Sequence, residues 1–89
     1  MSTVGSKPRQ PSLAQLRAFA AVAEHLHFRD AAASIGMSQP ALSGAVSALE
    51  ETLGVPLVER TTRRVLLTPE GERLLVRAKA VLKELGALT

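Results

Sequence analysis

Two clusters of side chains in this 89-residue chain have types and spacing suited to recognising a ligand. Ser38, Gln39, Pro40, Ser43, Gly44 and Ser47 form a run of small or neutral polar residues. A carboxamide such as that of Gln39 can pair bidentately with adenine, and the Ser43 hydroxyl can donate to a base or a phosphate. Arg60, Arg63 and Arg64 fall within five residues, a density that fits phosphate or minor-groove contact. Charge alone leaves a solvated basic loop as an equal reading of that cluster. The chain offers no acid–base pair at workable spacing, no nucleophile–base arrangement, no glycine-rich phosphate loop and no metal cluster. Neither an enzyme nor a cofactor is therefore expected. With no cysteine there is no disulfide, thiolate metal site or redox centre within these residues. His25 and His27 have no thiol, and no acidic residue at metal-ligand spacing on a shared face, and read as surface histidines. For His27, starting a helix or donating to a phosphate stay open.

The elements that position these clusters follow from length and apolar spacing. The length suits one domain with a modest core, whose stability a partner subunit would help. Hydrophobic residues make up 46% of the chain, yet Phe19 and Phe28 are the only aromatics, so the core must be built from Ala, Leu and Val. Net charge is only +3, but it is unevenly placed. No Lys or Arg occurs between Asp30 and Glu59, whereas seven of the eleven cations lie between Arg60 and Lys83. No apolar run is long enough to span a membrane, and no apolar signal segment opens the chain, so a cytoplasmic location is expected.

Residues 1–11 are polar, rich in Ser, Gly and Pro, and read as a flexible tail with Lys7 and Arg9 in it. Ser12 and Gln15 have the spacing of a capping box, and Leu13, Leu16, Phe19, Ala20, Ala23 and Leu26 form one stripe of a first helix ending near His25. A second helix, about 28–35, places Ala31, Ala32 and Ile35 on one face and Arg29 in its first turn. Gly36 supplies the freedom for a sharp turn. Ser38 then caps a third helix over about 39–53, with Leu42, Val46, Leu49 and Leu53 as its buried stripe. That stripe leaves Gln39, Pro40, Ser43, Gly44 and Ser47 near the outer face, where Lys, Glu and Arg would be usual and where no charge occurs before Glu50. A helix pair with a tight turn and a polar-tipped second helix is the layout of a helix-turn-helix. Groove insertion is favoured over a plain Ser-rich exposed face.

Beyond Gly54, two short β-prone runs flank a polar tip at Thr61-Thr62-Arg63 and predict a hairpin within 58–67. Beside a groove-reading helix such a wing meets the backbone or the minor groove, which assigns Arg63 and Arg64 to contact with DNA. Arg60 keeps a second reading, an ion pair with Glu59 or a neighbouring carboxylate. Thr68-Pro69-Glu70 opens a fourth helix reaching the last residues. Leu74, Ala78, Val81, Leu85 and Leu88 alternate by four and three, broadened by Leu75 and Leu82. That stripe can pack on the same helix of a second copy, on the chain's own first helix, or on both. The fold expected is mainly α, a winged helix-turn-helix over 12–67 with a linker and dimerisation helix over 68–89.

The runs Ala31-Ala32-x(5)-Ser38-Gln39-Pro40-Ala41-Leu42-Ser43, Leu49-Glu50-x-x-Leu53-Gly54-Val55-x-Leu57-x-Glu59-Arg60 and Leu67-Thr68-Pro69-Glu70-Gly71 together resemble the DNA-binding domain of LysR-type transcriptional regulators. The likeness runs from Leu13 to Leu88. The stretches 23–32, 38–44 and 59–68 look most like the peroxide-responsive, OxyR-like subgroup. The resemblance implies a dimer joined through the linker helix from Pro69 onward, reading an interrupted inverted repeat in double-stranded DNA. Assembly to a tetramer in a longer protein stays open. It implies that Ser38, Gln39, Pro40 and Ser43 face the major groove, with Arg63 or Arg64 at the wing. Many members carry Arg where this chain has Gly44, and glycine there suits the OxyR-like subgroup. Members also have a C-terminal effector domain, with reactive cysteines in the OxyR-like proteins, so sensing is expected of sequence beyond these residues. The rival reading is a winged-helix protein-interaction module without specific DNA binding, supported by the cation-free stretch through helix 3.

Overall fold

The chain enters its first helix through the expected capping box. The Gln15 amide donates to the Ser12 hydroxyl oxygen and the Ser12 amide donates to Gln15 Oε1, both at 3.0 Å. The computed structural model describes residues 10–61 and 64–87; the tail cations Lys7 and Arg9, the wing-tip residues Thr62 and Arg63, and Leu88 of the terminal stripe lie outside them. Helix α1, Leu13–His25, stops at Leu26, which takes the left-handed conformation with φ 54° and donates its amide to the Val22 carbonyl. Helix α2, Phe28–Ser34, is one residue shorter than its apolar pattern suggested, since Ile35 is already its cap. Gly36, at φ 69°, and the bond from the Met37 amide to the Ala32 carbonyl close the turn. Helix α3, Gln39–Leu53, starts with the Ala41 amide donating to Ser38 Oγ and ends at Gly54, with φ 75°. Strands β1, Val58–Arg60, and β2, Val65–Leu67, pair antiparallel with Val58 opposite Leu67 and Arg60 opposite Val65. Helix α4 runs over Pro69–Ala87. Among the described residues no helix is long and apolar enough to cross a membrane.

The core has two parts. In one, Ala18, Ala21 and Val22 of α1 meet Phe28, Ala31 and Ala32 of α2, Leu42 and Val46 of α3, and Val65 of the wing. The alanines let three short helices approach closely, at the cost of little apolar area per residue. In the other, Phe19, Leu49 and Leu57 are fully enclosed, with Leu16, Val55, Leu67, Leu74 and Leu75 around them. Val58 touches both parts and so joins the wing to each. Leu13, Leu26, Ile35 and Leu53 sit on the predicted stripes yet remain exposed. Each lies at a helix end, where the stripe runs past the edge of so small a core.

Leu57 ties α3, the wing and α4 together. Glu50 reads from the sequence as the first charge on the solvent side of α3, but its Oε2 accepts from the Leu57 amide at 2.8 Å and the Val58 amide at 3.2 Å. The Leu57 carbonyl accepts from the Thr68 amide at 3.0 Å. Thr68, itself buried, donates its hydroxyl to the Pro56 carbonyl at 2.7 Å and accepts from the Gly71 amide at 3.0 Å, capping α4. Gly71 packs so tightly on this loop that a Cβ there would collide with the Leu57 carbonyl oxygen.

Two stability measurements follow from this junction. Glu50→Ala leaves two backbone amides without their acceptor and is expected to cost about 1–3 kcal/mol in chemical denaturation; an unchanged midpoint would show that the carboxylate does not hold the loop. Gly71→Ala must displace backbone rather than a side-chain tip, and a cost of about 1–3 kcal/mol or more is expected in the same experiment.

Candidate nucleic-acid interface

The predicted polar run lies on α3 as its spacing required. Leu42, Val46 and Leu49 are fully buried, whereas Gln39, Pro40, Gly44 and Ser47 are exposed and Ser43 is half-buried. Ser38 is exposed, and its hydroxyl is occupied with the N-cap bond to Ala41. Nothing lies within 4 Å of a Cβ built on Gly44, and its φ is not in the left-handed region, so the fold itself does not demand glycine there. A mid-helix glycine costs roughly 0.5–1 kcal/mol relative to alanine.

Beside the tip of α3 a shallow recess collects residues from three elements. Arg29 from the first turn of α2, Gln39 from α3, and Arg60, Thr61 and Arg64 from the wing all line it, together with His27 and Phe28. Arg29, Gln39 and Arg64 were each singled out from sequence, and the fold brings them to one place. Asp30 stands 3.7 Å from His27 Nδ1 at the edge of this group. The wing is held in shape ahead of its tip: the Thr61 amide and hydroxyl both donate to the Arg64 carbonyl, and the Arg64 amide donates to the Thr61 hydroxyl oxygen. Arg63 lies outside the described residues.

Arg60 departs from the ion-pair reading. Among the described residues Arg73 pairs with Glu70, and His27 faces Asp30 in a contact that is an ion pair only with the imidazole protonated. Arg60 instead lays its guanidinium 4.0 Å above the centre of the Phe28 ring and donates from Nη2 to Ser43 Oγ at 2.7 Å. Strand alternation is the signal that sequence reasoning passed over. Val58 and Arg60 share one side of β1, and Val58 packs inward, so Arg60 points to the helices as well.

The proposed dimerisation residues divide into two sets. Leu74 packs in the Phe19–Leu49–Leu57 cluster and Ala78 is 1% exposed, so both are engaged within this chain, where α4 lies on α1. Val81 is 44% exposed, with Leu82 and Leu85 half-buried farther along the helix.

Chemically, this face combines a neutral, low-relief helix rich in hydrogen-bonding groups with a cationic recess directly at its tip. A major-groove edge flanked by phosphates has the complementary arrangement.

The chain is similar in sequence and fold to known proteins. Residues 13–72 match the bacterial regulatory helix-turn-helix proteins of the lysR family. A probable hydrogen peroxide-inducible genes activator of Streptomyces viridosporus is 85% identical over 80 residues, covering 90% of this chain and 26% of that protein. The hydrogen peroxide-bound form of a Corynebacterium glutamicum OxyR mutant superposes with a TM-score of 0.90 at 50% identity, over 92% of this chain and 26% of that one. The BenM DNA-binding domain in complex with catB site 1 DNA superposes with a TM-score of 0.83 at 39% identity, over 86% of each chain. The present chain thus spans about a quarter of the length of its Streptomyces relative. With four helices and a two-stranded wing among its described residues, and this match over most of its folded length, the chain belongs to the lysR family of bacterial regulatory helix-turn-helix proteins.

Proposed function

We propose that this chain is the sequence-reading DNA-binding part of a peroxide-responsive, OxyR-like transcription regulator acting in the bacterial cytoplasm. The observation that carries the reading is the convergence of Arg29, Gln39, Arg60 and Arg64 at the tip of an α3 face that presents no charge. In this reading α3 enters the major groove, with Gln39, Pro40, Ser43, Gly44 and Ser47 toward base edges. Ser38 lies at the helix entry. Arg29, Arg64 and Arg63 meet phosphates or the adjacent minor groove. The likeness to a family member in complex with DNA supports it, as does the unforced glycine at position 44, which lets α3 approach the base edges closely.

We further propose a homodimer joined along α4, with the linker helix beginning at Pro69 and an interrupted inverted repeat as target. Because Leu74 and Ala78 are already packed, the contact between copies falls on Val81, Leu82 and Leu85. Sensing and any chemistry of peroxide would reside in sequence beyond this chain, which itself acts as a binding module and not as an enzyme.

Enrichment of a random duplex library on the purified chain, at low and then near-physiological salt, tests the reading. Recovery of a two-fold-symmetric motif, with half-sites about one helical turn or a multiple apart, is the expected result. No enriched sequence, with binding insensitive to salt, would favour the protein-interaction alternative.

Gln39→Ala is expected to relax preference at its base pair and to cost about 1–3 kcal/mol on the best site. Arg64→Ala should weaken all sequences alike and reduce the salt slope by about one. Gly44→Ala separates folding from recognition. It should raise stability by about 0.5–1 kcal/mol while weakening binding to the selected site, and unchanged affinity would remove Gly44 from the interface.

A further inference from the structure

The bond between Arg60 and Ser43 does more than fasten the wing. We infer that Arg60 is a positioning residue that sets the hydrogen-bonding sense of Ser43, so that α3 reads an acceptor on the base edge at this position. The inference rests on the DNA-reading function proposed above.

A serine hydroxyl has one proton to donate and two lone pairs that accept. In a helix it commonly spends the proton on a carbonyl in the preceding turn. Ser34 does so here, donating to the Ala31 carbonyl at 2.7 Å. Ser43 behaves differently. Its oxygen accepts from Arg60 Nη2 at 2.7 Å, and its own proton has no acceptor among the described residues. The guanidinium cannot serve as that acceptor, having only donors. No described residue takes that proton, which leaves it for a group approaching α3.

The charge beside Oγ decides which kind of group. A cation on one lone pair draws density from the O–H bond, strengthening it as a donor and weakening the oxygen as a further acceptor. A base amino group approaching Oγ would bring its positive hydrogens toward the guanidinium. An electron-rich edge would be attracted instead. In the major groove the acceptors are purine N7, guanine O6 and thymine O4, whereas cytosine N4 and adenine N6 present donors. Serine alone serves either kind, so the discrimination comes from Arg60.

The geometry also shows why arginine and not lysine holds the position. The planar guanidinium rests on the Phe28 ring with its centre 4.0 Å away, and Phe28 is itself buried in the α1–α2–α3 core. Held over a fixed ring, the guanidinium aims one N–H at Ser43. An ammonium has no plane to stack and no fixed fork.

The test is library enrichment on the 89-residue chain for four proteins: the wild type, Arg60→Lys, Ser43→Ala and the double variant. Ser43→Ala is expected to lose about three- to tenfold of discrimination at one base pair per half-site, the value of a single net hydrogen bond. Arg60→Lys, which keeps the charge, should lose a similar factor at the same base pair with its salt slope unchanged. The double variant should lose no more than either single change, because both remove one coupled device. Arg60→Gln carries the same comparison if thermal melting shows Arg60→Lys to be unfolded. The inference is overturned if Arg60→Lys keeps the preference that Ser43→Ala relaxes, if the two losses add, or if Ser43→Ala relaxes no position. A wild type that selects no sequence would instead bring down the DNA-reading function itself.

Discussion

The peptide groups on either side of Leu57 are the constraint on which the rest of this small fold depends. In a core of alanines, leucines and valines with two aromatics, area alone does little to fix the angle between a wing and a helix bundle. The Glu50 carboxylate fixes it by taking the amides of Leu57 and Val58, and the Leu57 carbonyl takes the Thr68 amide in turn. One loop thereby carries the end of α3, the start of β1 and the start of α4. Gly71 admits the close approach that lets α4 leave from the same point. The carboxylate binds uncharged donors, so its bonds to the loop need no cationic partner.

The wing is fastened a second time at the recognition face, by Arg60 on Phe28 and Ser43. Between these two attachments β1 has little freedom to shift, since Val58 packs into both parts of the core. Arg64 is consequently presented from a short, hydrogen-bonded hairpin, and Arg29 comes from a helix buried along its other side. Preorganisation of this kind lowers the ordering cost of binding. Flexible lysines on the same surface would supply the charge without the geometry.

Much of this was legible in the sequence, because caps and punctuation are local. Ser12 with Gln15, Gly36 before Ser38, Gly54, and Thr68 before Pro69 each act through neighbours a few residues away, and the helices fall where those residues put them. The reach of the apolar stripes was overstated at Leu13, Leu26, Ile35 and Leu53, since a stripe defines a face and not how far the opposing surface extends. The long-range polar bonds stayed hidden for a different reason. Glu50 lies seven residues from Leu57, and Arg60 seventeen from Ser43; a charged side chain on a helix or strand gives no local sign of whether it faces water or a distant partner. Alternation along β1 carried the hint for Arg60. Nothing comparable pointed to Glu50. Arg29, Gln39 and Arg64 were each singled out from the sequence as individuals, while their meeting in one recess needed the tertiary fold.

The central claim is that the tip of α3 and the wing form one rigid, DNA-facing surface. Amide chemical shifts of the labelled chain, followed while its selected duplex is added at near-physiological salt, test it most directly. The account predicts changes confined to Arg29, to 38–47 and to 60–65, moving together with a single apparent affinity, while the exposed face of α1 stays unperturbed. Changes centred on α1 or along α4, or a wing that responds separately from α3, would contradict it.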